Sequence, residues 1–283
     1  MWAAPGRLTE HAPAAPLAYL RAGQGARPLV LLHGFLGAAR NLATLARQLA
    51  ERAPAYSVFA FDLTGHGASP PLPPGADLAT LAGDVLGTAR ALGLATPLPI
   101  VGHSLGGRVA LRAGLLEPAG VARVTLLDIT PSPVVERDGE TTRLVEALAS
   151  APATAPSRDV FRVHLRRRGV PDDIVEWLLL NVTREGASYR WRIDRVALAE
   201  LSRRTNTEDL WPAVEGPRSY EVACIRGSRS RYVSDADVRR LEAAGCSVEA
   251  LEGAGHFVHI DRPGELLARL LAGLPDTAGR EGA

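Results

Sequence analysis

Hydrophobic residues fall along this chain in two kinds of run. Pro28-Leu-Val-Leu-Leu32, Tyr56-Ser-Val-Phe-Ala-Phe61, Leu98-Pro-Ile-Val101 and Val124-Thr-Leu-Leu127 are short and continuously apolar. Such runs predict strands buried on both faces of a parallel sheet, because a half-exposed strand would alternate. Between them, apolar positions recur at helical spacing over Asn41 to Arg52, Leu78 to Leu92 and Gly107 to Glu117. Strands alternating with helices predict an α/β fold with a doubly wound, mostly parallel sheet. A weaker strand is expected at Leu17 to Arg21, after a loose Pro/Ala-rich stretch over residues 1–16.

The rhythm breaks between Pro131 and Pro217. Glu140 to Leu148, Ser157 to Arg168 and Asp172 to Leu180 have helical spacing, and no strong buried strand lies among them. Residues 131–217 therefore read as an inserted helical cap over the C-terminal edge of the sheet, where open α/β folds bind ligands. The core resumes with strands at Tyr220 to Ile225 and Ser247 to Leu251 and helices at Ser234 to Ala244 and Pro263 to Leu271. The expected organisation is a core of residues 1–130 and 218–274, a cap of 131–217, and a polar tail of 275–283.

Composition narrows the function classes. A net charge of +1 gives no electrostatic reason to expect nucleic acid or an anionic membrane as partner. Every basic residue is Arg, so Schiff-base catalysis and a P-loop lysine are excluded. Cys224 and Cys246 have no metal-ligand spacing, and neither a zinc site nor a disulfide scaffold is expected. The N-terminus lacks a basic region followed by an apolar one, and no apolar run approaches 18 residues, so a cytoplasmic protein is the default.

The chemistry centres on Gly102-His-Ser-Leu-Gly106, between a buried strand and a helix. In such a Gly-x-Ser-x-Gly turn the glycines leave room for tightly apposed backbone, while the serine is held strained and exposed. A serine hydroxyl needs a base to become nucleophilic, and the base needs an orienting group. His256, in the Gly-rich loop after the last strand, is the candidate base; His259, three residues on, is expected to pack at the start of the last helix. Asp128, ending the strand that follows the elbow helix, is the candidate acid. The loop Arg226 to Ser234 carries no carboxylate, and Asp235 and Asp237 after it are lesser candidates that also suit a helix N-terminus. The backbone N–H groups of Phe35 and Leu105 are placed to form an oxyanion hole, with His33 a hydrogen-bonding brace. Asp62-Leu-Thr-Gly-His-Gly lacks phosphate-binding spacing and reads as structural, as do a solvated face of Arg158, Arg162 and Arg166 and the packing of Trp177, Trp191 and Trp211.

His33-Gly-Phe-Leu-Gly, Asp62-Leu-Thr-Gly-His-Gly, Gly102-His-Ser-Leu-Gly-Gly and Gly255-His-Phe-Val-His together resemble the α/β-hydrolase superfamily over nearly the whole chain. Leu127-Asp-Ile-Thr-Pro, Tyr189-Arg-Trp-Arg-Ile-Asp and Gly227-Ser-Arg-Ser-Arg-Tyr-Val-Ser are similar to its small carboxylesterase branch, which holds bacterial acyl-ester esterases and a mitochondrial abhydrolase. In bacterial members of that branch the Asp after the strand following the elbow helix can be the triad acid, the position of Asp128. The arginines of the 226–231 loop depart from the pattern. The resemblance implies a serine hydrolase of acyl esters or thioesters, with Ser104, His256 and Asp128 as triad and neither metal nor cofactor. A rival resemblance is to the cofactor-free lyases of menaquinone biosynthesis, which use the serine system to abstract a proton. A silent binding module is the third reading.

Overall fold

The computed structural model describes residues 9–11, 17–134 and 140–274. In chain order, the core begins with strands β1 (Thr9–His11), β2 (Tyr19–Ala22) and β3 (Arg27–Leu32), helix α1 (Ala43–Arg52), strand β4 (Tyr56–Phe61) and helix α2 (Leu78–Ala91). Strand β5 (Leu98–His103), helix α3 (Leu105–Leu116) and strand β6 (Val121–Leu127) follow. The segment expected to form a cap carries helices α4 (Glu140–Ala149), α5 (Arg158–Arg167), α6 (Asp172–Leu179), α7 (Arg195–Thr207) and α8 (Pro212–Glu215), with short strands β7 (Thr154–Ala155), β8 (Val182–Glu185) and β9 (Ser188–Trp191). The core closes with β10 (Glu221–Gly227), α9 (Asp235–Ala243), β11 (Ser247–Leu251), α10 (Val258–Asp261) and α11 (Pro263–Ala272).

The sheet order is β1-β2-β4-β3-β5-β6-β10-β11. β1 and β2 pair antiparallel at one edge and the other strands run parallel. The apolar runs are continuous because helices cover both faces. Along β3, Val30 and Leu32 pack toward α2 and α3, whereas Leu29 and Leu31 pack toward α1 and α11. The chain leaves β3 toward one edge, through β4, and returns to β5 on its other side. The carboxyl ends of β3 and β5 thus flank a topological switch point, the place where open α/β sheets bind ligands.

That segment is mostly helical and also holds a small antiparallel sheet, β7-β9-β8, that the hydrophobic spacing did not predict. β8 and β9 are four residues each with mixed polarity, joined through Gly186 at φ 59. They are too short and too polar to show a period. Likewise β1 lies inside the stretch expected to be loose, and the tail expected at 275–283 is outside the described residues. Trp191 and Trp211 are buried; their indole N–H groups donate to Pro152 O (3.1 Å) and Ser132 Oγ (2.9 Å). Arg162 and Arg166 pair with Glu176 (2.6 Å) and Asp172 (2.8 Å) on the solvated side of α5.

Candidate active site

Ser104 sits between β5 and α3 at φ 49, ψ −117, a strained conformation for a residue with a side chain. Its amide donates to Leu127 O at the end of β6 (3.1 Å), which pins the turn to the neighbouring strand. The flanking glycines have a steric cause. A Cβ on Gly102 would lie 2.3 Å from the Gly106 carbonyl, and one on Gly106 would lie 2.5 Å from Leu32 O. Only hydrogen at these positions lets β5, α3 and β3 meet closely enough to make the bend.

The loop after β11 brings His256 back across the sheet edge. Its Nδ1 is 2.7 Å from Asp128 Oδ2. Because a carboxylate accepts, Nδ1 carries the proton and Nε2 is left as the acceptor. Asp128 is fully buried at the end of β6, with φ 52. A buried carboxylate must be met by donors. Three converge here: the Gly227 amide on Oδ1 (2.8 Å), and the Ser230 hydroxyl and His256 on Oδ2. Asp235 and Asp237 lie elsewhere. Asp235 faces Arg226 at 3.4 Å, and Asp237 closes a capping box with Ser234 at the start of α9.

Gly34 lies against the elbow so closely that a Cβ there would come 2.8 Å from His103 Nδ1 and 3.4 Å from Ser104 Cβ. The turn is braced from inside: Gly34 O accepts from the Gly37 amide (3.0 Å) and from His33 Nδ1 (2.8 Å), and His33 Nε2 accepts from the Leu63 amide (3.0 Å). Leu105 is the first residue of α3, so its N–H has no intrahelical acceptor. The Asp62 loop is a scaffold for this region; its carboxylate accepts from the Ala39 (2.6 Å) and Ala68 (2.8 Å) amides. Burial lowers the pKa of His33 to about 4, and burial with the nearby His33 lowers that of His66 to about 3. Both are neutral spacers.

A cavity of about 320 Å³ opens at this switch point between core and cap. Ser104, His256, Phe35 and Leu105 all line it. Much of its remaining wall is apolar, with Leu144, Val170, Ile174, Trp177 and Phe257 contributed by the cap and the final loop. Among the described residues, no cluster of His, Cys, Asp or Glu is arranged to hold a metal, and no helix is long and apolar enough to cross a membrane.

Residues 29–270 match the Alpha/beta hydrolase family. The chain belongs to this family. This alpha/beta hydrolase is 30% identical over 250 residues to the sn-1-specific diacylglycerol lipase ABHD11 of Xenopus laevis, covering 85% of this chain and 77% of that one. It is 27% identical to Esterase YbfF of Escherichia coli, covering 88% and 93%. Among solved structures, a marine microorganism esterase shares the fold with a TM-score of 0.79 at 23% identity, covering 92% and 99%.

Sequence reasoning missed four residues of the alpha/beta hydrolase site. Ser230 stands in the loop that lacks a carboxylate, and its hydroxyl donates to Asp128. Tyr232 stacks on the His256 ring at 3.8 Å between centroids and 19° between planes. His103 is buried and bonds the main chain of His256. Arg108, one turn beyond Ser104, is buried under the cap and donates to the carbonyls of Thr130, Ser132, Thr205 and Glu208. Burial lowers its pKa to about 10, so it stays charged at neutral pH. His259, expected to pack at the last helix, lies in α10 and also lines the cavity; burial lowers its pKa to about 4.

Proposed function

We propose that this ester-cleaving hydrolase works through a serine acyl-enzyme. Ser104 Oγ attacks the carbonyl of an acyl ester or thioester while His256 Nε2 takes its proton. Asp128 keeps the proton of the resting imidazole on Nδ1 and faces the imidazolium as it forms. The N–H groups of Phe35 and Leu105 receive the oxyanion, the second at the positive end of α3. Collapse of the tetrahedral intermediate breaks the bond to the leaving group, which departs with the proton from His256. A water then repeats both steps on the acyl-enzyme and releases the carboxylic acid and Ser104. Each step uses only side chains, main-chain N–H groups and water.

One observation carries this reading: the 2.7 Å bond from His256 to a buried carboxylate, on the wall of the cavity that the strained Ser104 lines. The cavity also speaks to substrate size. A cavity of about 320 Å³ with a largely apolar wall lies at the small end of the usual range for ligand pockets and suits a small ester. The name of the amphibian relative makes glycerol esters the first natural substrates to test. The lyase alternative is not favoured, since the relatives bear the names of esterases and a lipase.

The test is labelling by a fluorophosphonate, with mass spectrometry locating the adduct, followed by a series of p-nitrophenyl esters. Modification at Ser104, absent in Ser104→Ala, and ester turnover that Ser104→Ala abolishes are expected. Ester turnover that persists in Ser104→Ala would overturn the mechanism.

A further inference from the structure

The residue immediately before the nucleophile does more than fill the elbow. His103 is 3% exposed, and its Nε2 lies 2.9 Å from the carbonyl oxygen of His256. A carbonyl only accepts, so Nε2 carries the proton and the ring is the neutral donor. Burial, first, and the neighbouring His256 and His259, next, push its pKa well below the ordinary imidazole value, which keeps the ring neutral. The same ring touches the other parts of the site. It lies 4.8 Å from the His256 ring and 5.6 Å from Phe257, and Gly34 has room for no Cβ beside its Nδ1.

We infer that His103 is a positioning residue that sets the base against the nucleophile, by holding the main chain of His256 to the elbow that carries Ser104. The inference rests on the assignment of Ser104, His256 and Asp128 made above. Its logic is one of fixed points. The bond to Asp128 holds one nitrogen of the imidazole and reaches the elbow only through β6, and the Tyr232 face holds the plane of its ring. The His103 bond spans 153 residues of sequence and ties that loop to the residue adjacent to Ser104. Because Ser104 and His103 share one peptide unit, any shift of the elbow carries the base with it. Proton transfer demands this, since a misplacement of about 1 Å between reacting groups can cost about 100-fold in rate.

The test compares side chains that keep or lose the donor. His103→Gln can reach the carbonyl with its amide N–H, whereas His103→Leu and His103→Phe cannot. We expect the last two to lower kcat and the fluorophosphonate labelling rate about 10- to 100-fold, and the Gln variant to recover most of that loss. Two apolar variants of different size are used so that one folded protein, judged by its melting temperature, carries the comparison. The decisive measurement is the double variant with His256→Ala. With the base gone, His103→Leu should have no further effect on the residual rate, because it acts through His256. An equal loss in both backgrounds, or a folded His103→Leu enzyme with unchanged kcat, overturns the inference while leaving the triad intact. Wild-type turnover by His256→Ala would instead sink the assignment of the base, and this inference with it.

Discussion

Acidification should destabilise this protein well before its carboxylates titrate, and the hydrogen bonds around the site show why. His33 uses both ring nitrogens in the neutral form, donating from Nδ1 to Gly34 O and accepting at Nε2 from the Leu63 amide. A second proton would have to sit on Nε2 and break the latter bond. His66 bonds Thr64 O through Nδ1, and a proton added at its buried Nε2 meets no acceptor among the described residues. His259 has the same problem at Nδ1. Burial, the largest cause in each case, lowers the pKa values from 6.5 to about 4 for His33, about 3 for His66 and about 4 for His259, and places His103 well below 6.5.

The sign follows from which state binds the proton. Each folded-state value lies below the unfolded one, so the unfolded chain takes up protons first as the pH falls through 6.5. Stability is intact above pH 6.5 and declines toward the folded-state values near 4 and 3. At pH 5, a group with values of 6.5 unfolded and about 4 folded costs about 2 kcal/mol; the three numbered histidines together cost about 6 kcal/mol. That is comparable to the whole stability of an ordinary domain, about 5–15 kcal/mol. Asp77, whose pKa is lowered first by the Thr80 amide, matters only at still lower pH and does not obscure the window. Urea midpoints measured between pH 7.5 and 5 at constant ionic strength should fall with a slope that approaches about 4 kcal/mol per pH unit near pH 5. His66→Gln should reduce that slope by about 1.4 kcal/mol per unit. A flat stability profile from pH 7 to pH 5 would refute the assignment of these rings as buried neutral groups.

Asp128→Asn should present the wrong imidazole tautomer and lower kcat about 10⁴-fold, whereas Asp235→Asn should stay within a few-fold of wild type in the same ester assay. Gly106→Ala forces a Cβ to 2.5 Å from Leu32 O, against main chain that cannot step aside. A loss of about 3 kcal/mol, read as a fall of roughly 6–12 °C in melting temperature, is expected. Arg108→Met keeps an unbranched apolar stem but strands four carbonyls, and should cost about 4 kcal/mol or more by urea titration. An Arg108→Met protein as stable as wild type would show that the cap is held by its apolar contacts alone.

What could be read from the sequence, and what could not, divides along a physical line. The central strands were legible because burial on both faces demands unbroken apolar runs, as in β4, where all six residues are buried. The elbow was legible because crowded backbone admits no side chain at Gly102 and Gly106. Asp128 could be chosen because it ends a strand adjacent to the elbow. Helix α7 escaped notice because its buried stripe includes Ser202 and Thr205 beside Leu198 and Leu201, so the apolar period is faint. The cap sheet escaped because its strands are two to four residues long.

The deeper omission concerns contacts whose acceptor is main chain. Arg108 bonds four carbonyls and His103 bonds one, and a carbonyl carries no residue identity that a sequence could display. Read alone, Arg108 is one of two arginines in a mostly apolar helix and His103 a filler beside Ser104. Their acceptors come from residues 22 to 153 positions away, brought near only by the closed sheet and the seated cap. The atoms proposed to react are therefore marked by residue type, while the bonds that tie the elbow to residues 130–208 and to the loop of His256 run to main-chain oxygen. It follows that substitutions within the proposed triad should be the easier ones to predict from sequence. Those at positions 103 and 108 are where the three-dimensional structure changes the expectation most.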